Sequence, residues 1–155
     1  MRFVFFAAVL AMGCGEPVPK ERPPADHGEE PSASDPLGAR VWAIGRERVP
    51  RMELEGSRRT GTLRRGEIED HLTVLVGTHC YAFIAVGDSD VRDIDLILID
   101  PDGAPIMHDT DQGREATLGV REQICPERPG SYEIRVRMFA GGGDYALQAY
   151  KFQVI

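Results

Sequence analysis

The chain has 155 residues, 42% of them apolar and 28% charged, which is enough apolar material for one packed domain and too much for wholesale disorder. Its formal net charge is −7, so it repels phosphate backbones, and no nucleic acid is expected as a partner. Most of that acidity reads as a solvated, solubilising surface.

The N-terminus reads as an address. After Arg2, the ten residues Phe3 to Met12 are apolar, followed by Gly13 and Cys14. That is the length of a signal-peptide core and falls short of the ~20 residues that span a bilayer. The ending Ala11-Met12-Gly13-Cys14 resembles the lipobox of bacterial lipoproteins, with Ala11 where Leu is usual. The resemblance implies that residues 1–13 are a lipoprotein signal peptide. It also implies that Cys14 carries acyl chains, palmitate among them, that anchor the protein to a membrane. Gly15, where Asp would favour inner-membrane retention, implies the outer membrane or cell surface if the cell is Gram-negative. An ordinary secretory signal, or an apolar tail with an incidental cysteine, are the alternatives.

Three cysteines in an exported chain leave one odd thiol. With Cys14 lipidated, Cys80 and Cys125 remain as a pair, and export makes a disulfide between them chemically permissible. Two buried free thiols are the competing reading.

Residues 14–36 are rich in Pro and Glu, with almost no large apolar side chain. Such a segment cannot offset its ordering entropy and is expected to be a disordered tether, with His27 solvated. Residues 37–50 form a docking segment. Leu37, Val41 and Ile44 have helical spacing, but Gly38 and Gly45 bracket a short run, so an extended lead-in is preferred over a helical turn. Trp42 is read as a packing anchor.

From residue 51 onward the period is two. Arg51 to Glu55 is a strand, and Thr60 to Leu63 is a candidate to pair with it. His71 to Val76 places Leu72, Val74 and Val76 on one face. His79 to Val86 is apolar on both faces, as a central strand is. Asp93 to Ile99 points Ile94, Leu96 and Leu98 one way. Asp100-Pro101-Asp102-Gly103 is a turn, because Pro presets φ and Gly accepts φ > 0, and Ala104 to His108 returns as a short strand. Thr117 to Cys125 is a further strand. Ser131 to Phe139 turns Tyr132, Ile134, Val136 and Met138 inward, and Gly141 to Asp144 makes a loop. Tyr145 to Phe152 closes with Tyr145, Leu147 and Ala149 opposed to Ala146, Gln148, Tyr150 and Phe152. This gives an all-β fold over residues 51–155, an antiparallel β-sandwich or jelly roll of about eight or nine short strands.

Several of these pieces carry a further resemblance. Cys80-Tyr81, Asp93-Ile94-Asp95-Leu96, Asp100-Pro101-Asp102-Gly103, Gly130-Ser131-Tyr132 and Gly143-Asp144-Tyr145 together resemble bacterial pre-peptidase C-terminal domains. Those are small β-sandwich modules of exported proteins, and the likeness covers roughly residues 60–153. With no protease domain attached, it implies a free-standing module.

Acidic residues crowd the middle of the chain. Asp88, Asp90, Asp100 and Asp102 are the candidate ligands for calcium, a hard cation that takes oxygen donors. They lack EF-hand spacing, so solvated turn carboxylates are the plainer reading and no cofactor is required. His71, His79 and His108 have no zinc-ligand spacing. Catalytic signatures are lacking: there is no Gly-x-Ser-x-Gly, no phosphate loop and no His-Glu-x-x-His. The expectation is a non-catalytic, lipid-anchored binding or structural module of the cell envelope, its partner an envelope protein or a polysaccharide. A calcium-dependent carbohydrate- or protein-binding adhesin is the alternative.

Overall fold

The computed structural model describes Ala25 and residues 27–154. Residues 1–13, expected to be a signal peptide, Cys14 and most of the expected tether lie outside the described residues. The elements are α1 (Pro36–Arg48), β1 (Glu53–Leu63), β2 (Ile68–Leu75), β3 (His79–Gly87), β4 (Val91–Ile99), β5 (Pro105–His108), β6 (Glu115–Leu118), β7 (Gly130–Gly141) and β8 (Gly143–Gln153). Two four-stranded antiparallel sheets face each other, in the orders β1-β8-β3-β6 and β2-β7-β4-β5. This is the expected β-sandwich. We call the first the capped sheet and the second the open sheet, because α1 lies on only one of them.

The alternation of side chains along a strand builds the core. Tyr81, Phe83 and Ala85 of β3 and Tyr145 and Leu147 of β8 point between the sheets. They meet Ile94, Leu96 and Leu98 of β4 and Tyr132, Ile134, Val136 and Met138 of β7. All are at most 5% exposed. The other sides of β3 and β8 are buried as well. Ala82, Ile84, Val86, Ala146 and Tyr150 form a second core with Val41 and Ile44 of α1 and with Val49 and Met52 beyond it.

The docking segment is therefore helical rather than extended. Its start is well specified: the Asp35 carboxylate accepts the Gly38 N–H at 2.9 Å, and Pro36 sits in the first turn. Gly38 and Gly45 do not bracket the segment but lie inside the helix, on its buried face. A β-carbon on Gly45 would overlap the Tyr150 ring, so the absent side chain is what lets the helix close on β8. Arg40 and Arg48 reach down to Glu115 of β6 at 2.6 and 3.3 Å. His27 is buried against Tyr150, not solvated, with ring centroids 5.8 Å apart.

Two strand expectations change, and a third gains a direction. Residues 51–55 and 60–63 do not pair with each other. Glu53 to Glu55 and Thr60 to Leu63 belong to one strand, β1, which runs along β8 with a bulge between Glu55 and Arg59. The Gln148 amide donates to the Glu55 and Gly56 carbonyls where the ladder is broken. The bulge also carries Arg58 to Asp35 at the start of α1. Thr117 to Cys125 is not one strand either. β6 ends at Leu118, Gly119 turns the chain at φ +76°, and Ile124 makes a single bridge to Tyr81. Finally, β2 carries Leu72 and Val74 on one face as expected, and that face is the outer one, opposite to where hydrophobicity alone would put it.

Cys80 and Cys125 are joined as a disulfide, with Cα atoms 4.2 Å apart. Cys80 points to the capped side of β3, so the bond staples residues 119–125 onto the same face that α1 covers.

Candidate functional site

β2 turns its apolar residues out. Ile68, Leu72, Val74 and Val76 are 51%, 67%, 65% and 36% exposed, while Leu75 is fully buried. Register explains the inversion. Directly paired residues on neighbouring strands share a face, and β2 pairs Glu69 with Val136, His71 with Ile134 and Thr73 with Tyr132, all core-facing on β7. Glu69, His71 and Thr73 thus look inward, and the apolar column looks outward.

The inward polar groups find partners. The Tyr145 hydroxyl donates to Glu69 Oε2 at 2.6 Å, and His71 Nε2 lies 2.7 Å from the same hydroxyl oxygen. With the phenol proton given to Glu69, the Nε2–H tautomer of His71 completes the chain. Burial, and then the bond to Glu69, push the Tyr145 hydroxyl far above its ordinary range, so it stays protonated. Burial holds His71 below its ordinary 6.5 against the pull of Glu69. Gly61 leaves the room, since a β-carbon there would stand 2.5 Å from Glu69 Oε2. Tyr145 is completely buried, so this cluster is a satisfied internal network and not an exposed nucleophile.

Next to the apolar column, the outer face of the open sheet is charged and paired. Arg135 of β7 holds Asp70 of β2 through two bonds of 2.7 and 2.8 Å, and that hydrogen bonding lowers the Asp70 carboxyl. Arg137 lies over the Phe139 ring at 5.1 Å. Further across stand Asp95, pushed up by burial and by Asp93, and Ile106, 53% exposed. Among the described residues, no helix or loop covers this face.

β2 is also an edge. The Met138 N–H of β7 donates to the Glu67 carbonyl at 3.0 Å, which sets the phase of the β2–β7 ladder. Antiparallel pairs alternate, so Glu69, His71, Thr73 and Leu75 bond to β7, and the N–H and C=O of Ile68, Asp70, Leu72 and Val74 point away from it. One of these groups is occupied: Arg59 donates to the Leu72 carbonyl at 2.6 Å. Between the β1 bulge and β2, a cleft of about 410 Å³ opens, lined also by Phe83, Leu147 and Ala149.

The sequence-derived candidates do not converge on one metal centre. Asp88 and Asp90 precede β4, whereas Asp100 and Asp102 follow it, roughly 30 Å away at ~3.3 Å per strand residue. Asp88 is a structural knot. Its carboxylate accepts from the backbone of Asp90 and Val91 and from Asp144, tying two crossings between the sheets. Desolvation alone would raise this carboxyl, and the three amides outweigh it and hold it low. Asp100 accepts from Asp102 and Ala104 inside its turn, and Asp102 pairs with Arg128 at 2.5 Å. Among the described residues, no three of His, Cys, Asp or Glu gather as a metal group. His71 serves Tyr145, His79 lies beside Thr78 at 3.0 Å, and His108 is exposed on β5. Among the described residues, no helix is long and apolar enough to cross a membrane.

No family model matches the chain, and no curated protein matches it. Among solved structures, it is similar to the pre-peptidase C-terminal domain of the collagenase from Bacillus anthracis. That match has 17% identity and a TM-score of 0.44 over 60% of this chain and 87% of that one. It is also similar to PliG, a periplasmic lysozyme inhibitor of g-type lysozyme from Aeromonas hydrophila, with 14% identity and a TM-score of 0.48 over 64% of this chain and 88% of that one.

Proposed function

We propose that this chain is an exported, non-catalytic binding module, anchored to a membrane through lipid on Cys14, that meets an envelope protein or polysaccharide through the outer face of its open sheet. The observation that carries the reading is the inverted β2. A strand that sends Ile68, Leu72 and Val74 into solvent and Glu69 and His71 into the core has its apolar side prepared for something else to cover. The disulfide supports export, because such bonds persist in oxidising compartments. The burial of Tyr145 and the use of His71 and Glu69 to satisfy it support a non-catalytic role.

Two experiments test this. Mass spectrometry of the mature protein is expected to find an acylated Cys14 at its N-terminus, and an unmodified Cys14 removes the anchor. A photo-crosslinker placed at Leu72 in intact cells is expected to give an adduct with an envelope component. The same probe at Glu47, exposed on α1, is expected to give none. Equal labelling from both positions would overturn the assignment of the binding face.

A further inference from the structure

We infer that the free edge of β2 pairs with β2 of a second copy of this chain, antiparallel about a two-fold axis, joining two open sheets into one continuous sheet. The pairing uses the backbone edge of β2, whereas the proposed envelope partner uses the side-chain face, so each stands without the other.

The four sheet edges of the molecule are treated very differently. β1 is broken by its bulge between Glu55 and Arg59. β5 has four residues and begins at Pro105. β6 also has four, and Arg40 and Arg48 cross to its Glu115. Each of these devices discourages strand addition. β2 has eight residues, IEDHLTVL, with no Pro, Gly, Lys or Arg and an unbroken register on β7. Among the described residues it is the least protected edge, blocked only at the Leu72 carbonyl by Arg59.

A second copy fits that edge by symmetry. Under a two-fold axis, directly opposed residues have the same parity, so outward residues meet outward residues. Beyond Val74 the ladder stops, since the Val76 N–H is given to the Tyr81 hydroxyl and its carbonyl accepts from His79. The register that uses all the free groups sets Ile68 opposite Val74 of the copy and Asp70 opposite Leu72. It joins the two apolar columns and keeps the two Asp70 carboxylates apart, each already neutralised by its own Arg135. Arg59 is the gatekeeper, because its bond to the Leu72 carbonyl occupies an acceptor that the copy needs.

Sedimentation velocity of the full chain across a wide concentration range tests the pairing, with circular dichroism to verify the fold of each variant. The expected result is a monomer–dimer equilibrium. Val74→Pro removes an N–H that points away from β7, which an edge strand tolerates, and should weaken the dimer by about tenfold or more. Leu72→Lys, at a position 67% exposed, should weaken it without touching the fold even if the proline variant misfolds. Arg59→Ala should tighten it. A chain that stays monomeric at every concentration overturns the inference. So does a dimer that persists unchanged in both Val74→Pro and Leu72→Lys, since that dimer would use another surface.

Discussion

The outer faces of the two sheets have opposite fates. On the capped sheet, β3 and β8 present Ala82, Ile84, Val86, Ala146 and Tyr150, and the chain covers them itself with α1 and the disulfide-held segment that follows β6. On the open sheet, β2 presents Ile68, Leu72 and Val74, and among the described residues nothing covers them. Both faces carry apolar residues at period two, so hydrophobicity alone does not separate them. What separates them is the supply of cover. The covered face is held by a cap, two arginine bridges and a covalent bond, while the bare face is held by its own ladder and the Arg135–Asp70 pair.

The comparison can be broken most forcefully at the staple. Replacing Cys80 and Cys125 together with Ala frees a loop of 45 residues and should cost on the order of 4 kcal/mol in the chain-entropy picture, read by denaturant unfolding. A loss near zero would mean that the cover holds without its bond. Next, the same substitution should behave differently on the two faces. Ile44→Asp places a carboxylate under α1, at a position 7% exposed, and should cost about 3 kcal/mol. Leu72→Asp should stay within about 0.5 kcal/mol. Similar costs would show that the bare face is buried in the folded protein. A smaller effect is expected at the cap: Asp35→Ala loses the Gly38 bond and the Arg58 pair, and should lower stability by about 1 kcal/mol.

The smallest expected effect sharpens the inverted strand. Because burial depresses His71 in the folded state, the unfolded chain binds the proton more readily. Stability should therefore be full above pH 6.5 and fall as the pH drops through 6.5 toward the folded value. Asp95 and Asp109, both raised by burial, contribute the opposite slope further down, above the ordinary carboxylate value of 3.8. Thermal melts of the parent and of His71→Asn across pH 6.5 should differ in slope. Parallel curves would mean that His71 is not held neutral against Tyr145.

Much of the fold was legible. β3, β4, β7 and β8 each have alternation so regular, or apolar residues so continuous, that only one arrangement buries them. The Asp100–Gly103 turn followed from its own backbone chemistry. The Cys80–Cys125 pair followed from cysteine counting. α1 is half legible: Leu37, Val41 and Ile44 have helical spacing, but Gly38 and Gly45 read as the brackets of a short run. Their actual reason, close approach of Gly38 to Arg58 and of Gly45 to the Tyr150 ring, involves residues distant in sequence.

The candidate site was the least legible part, and β2 shows why. Its odd positions hold Glu69, His71, Thr73 and Leu75, and its even positions hold Ile68, Asp70, Leu72 and Val74. Hydrophobicity favours the even face for the core. The out-of-phase Leu75 was the one local hint against it. The sequence by itself determined the strands β3, β4, β7 and β8, the Asp100–Gly103 turn and which cysteines pair, because those follow from local sterics, periodicity and parity. Only the tertiary structure decided which face of β2 is inside, because that choice is made by register against β7 and by a tyrosine 74 residues from His71 that satisfies what the strand turns inward.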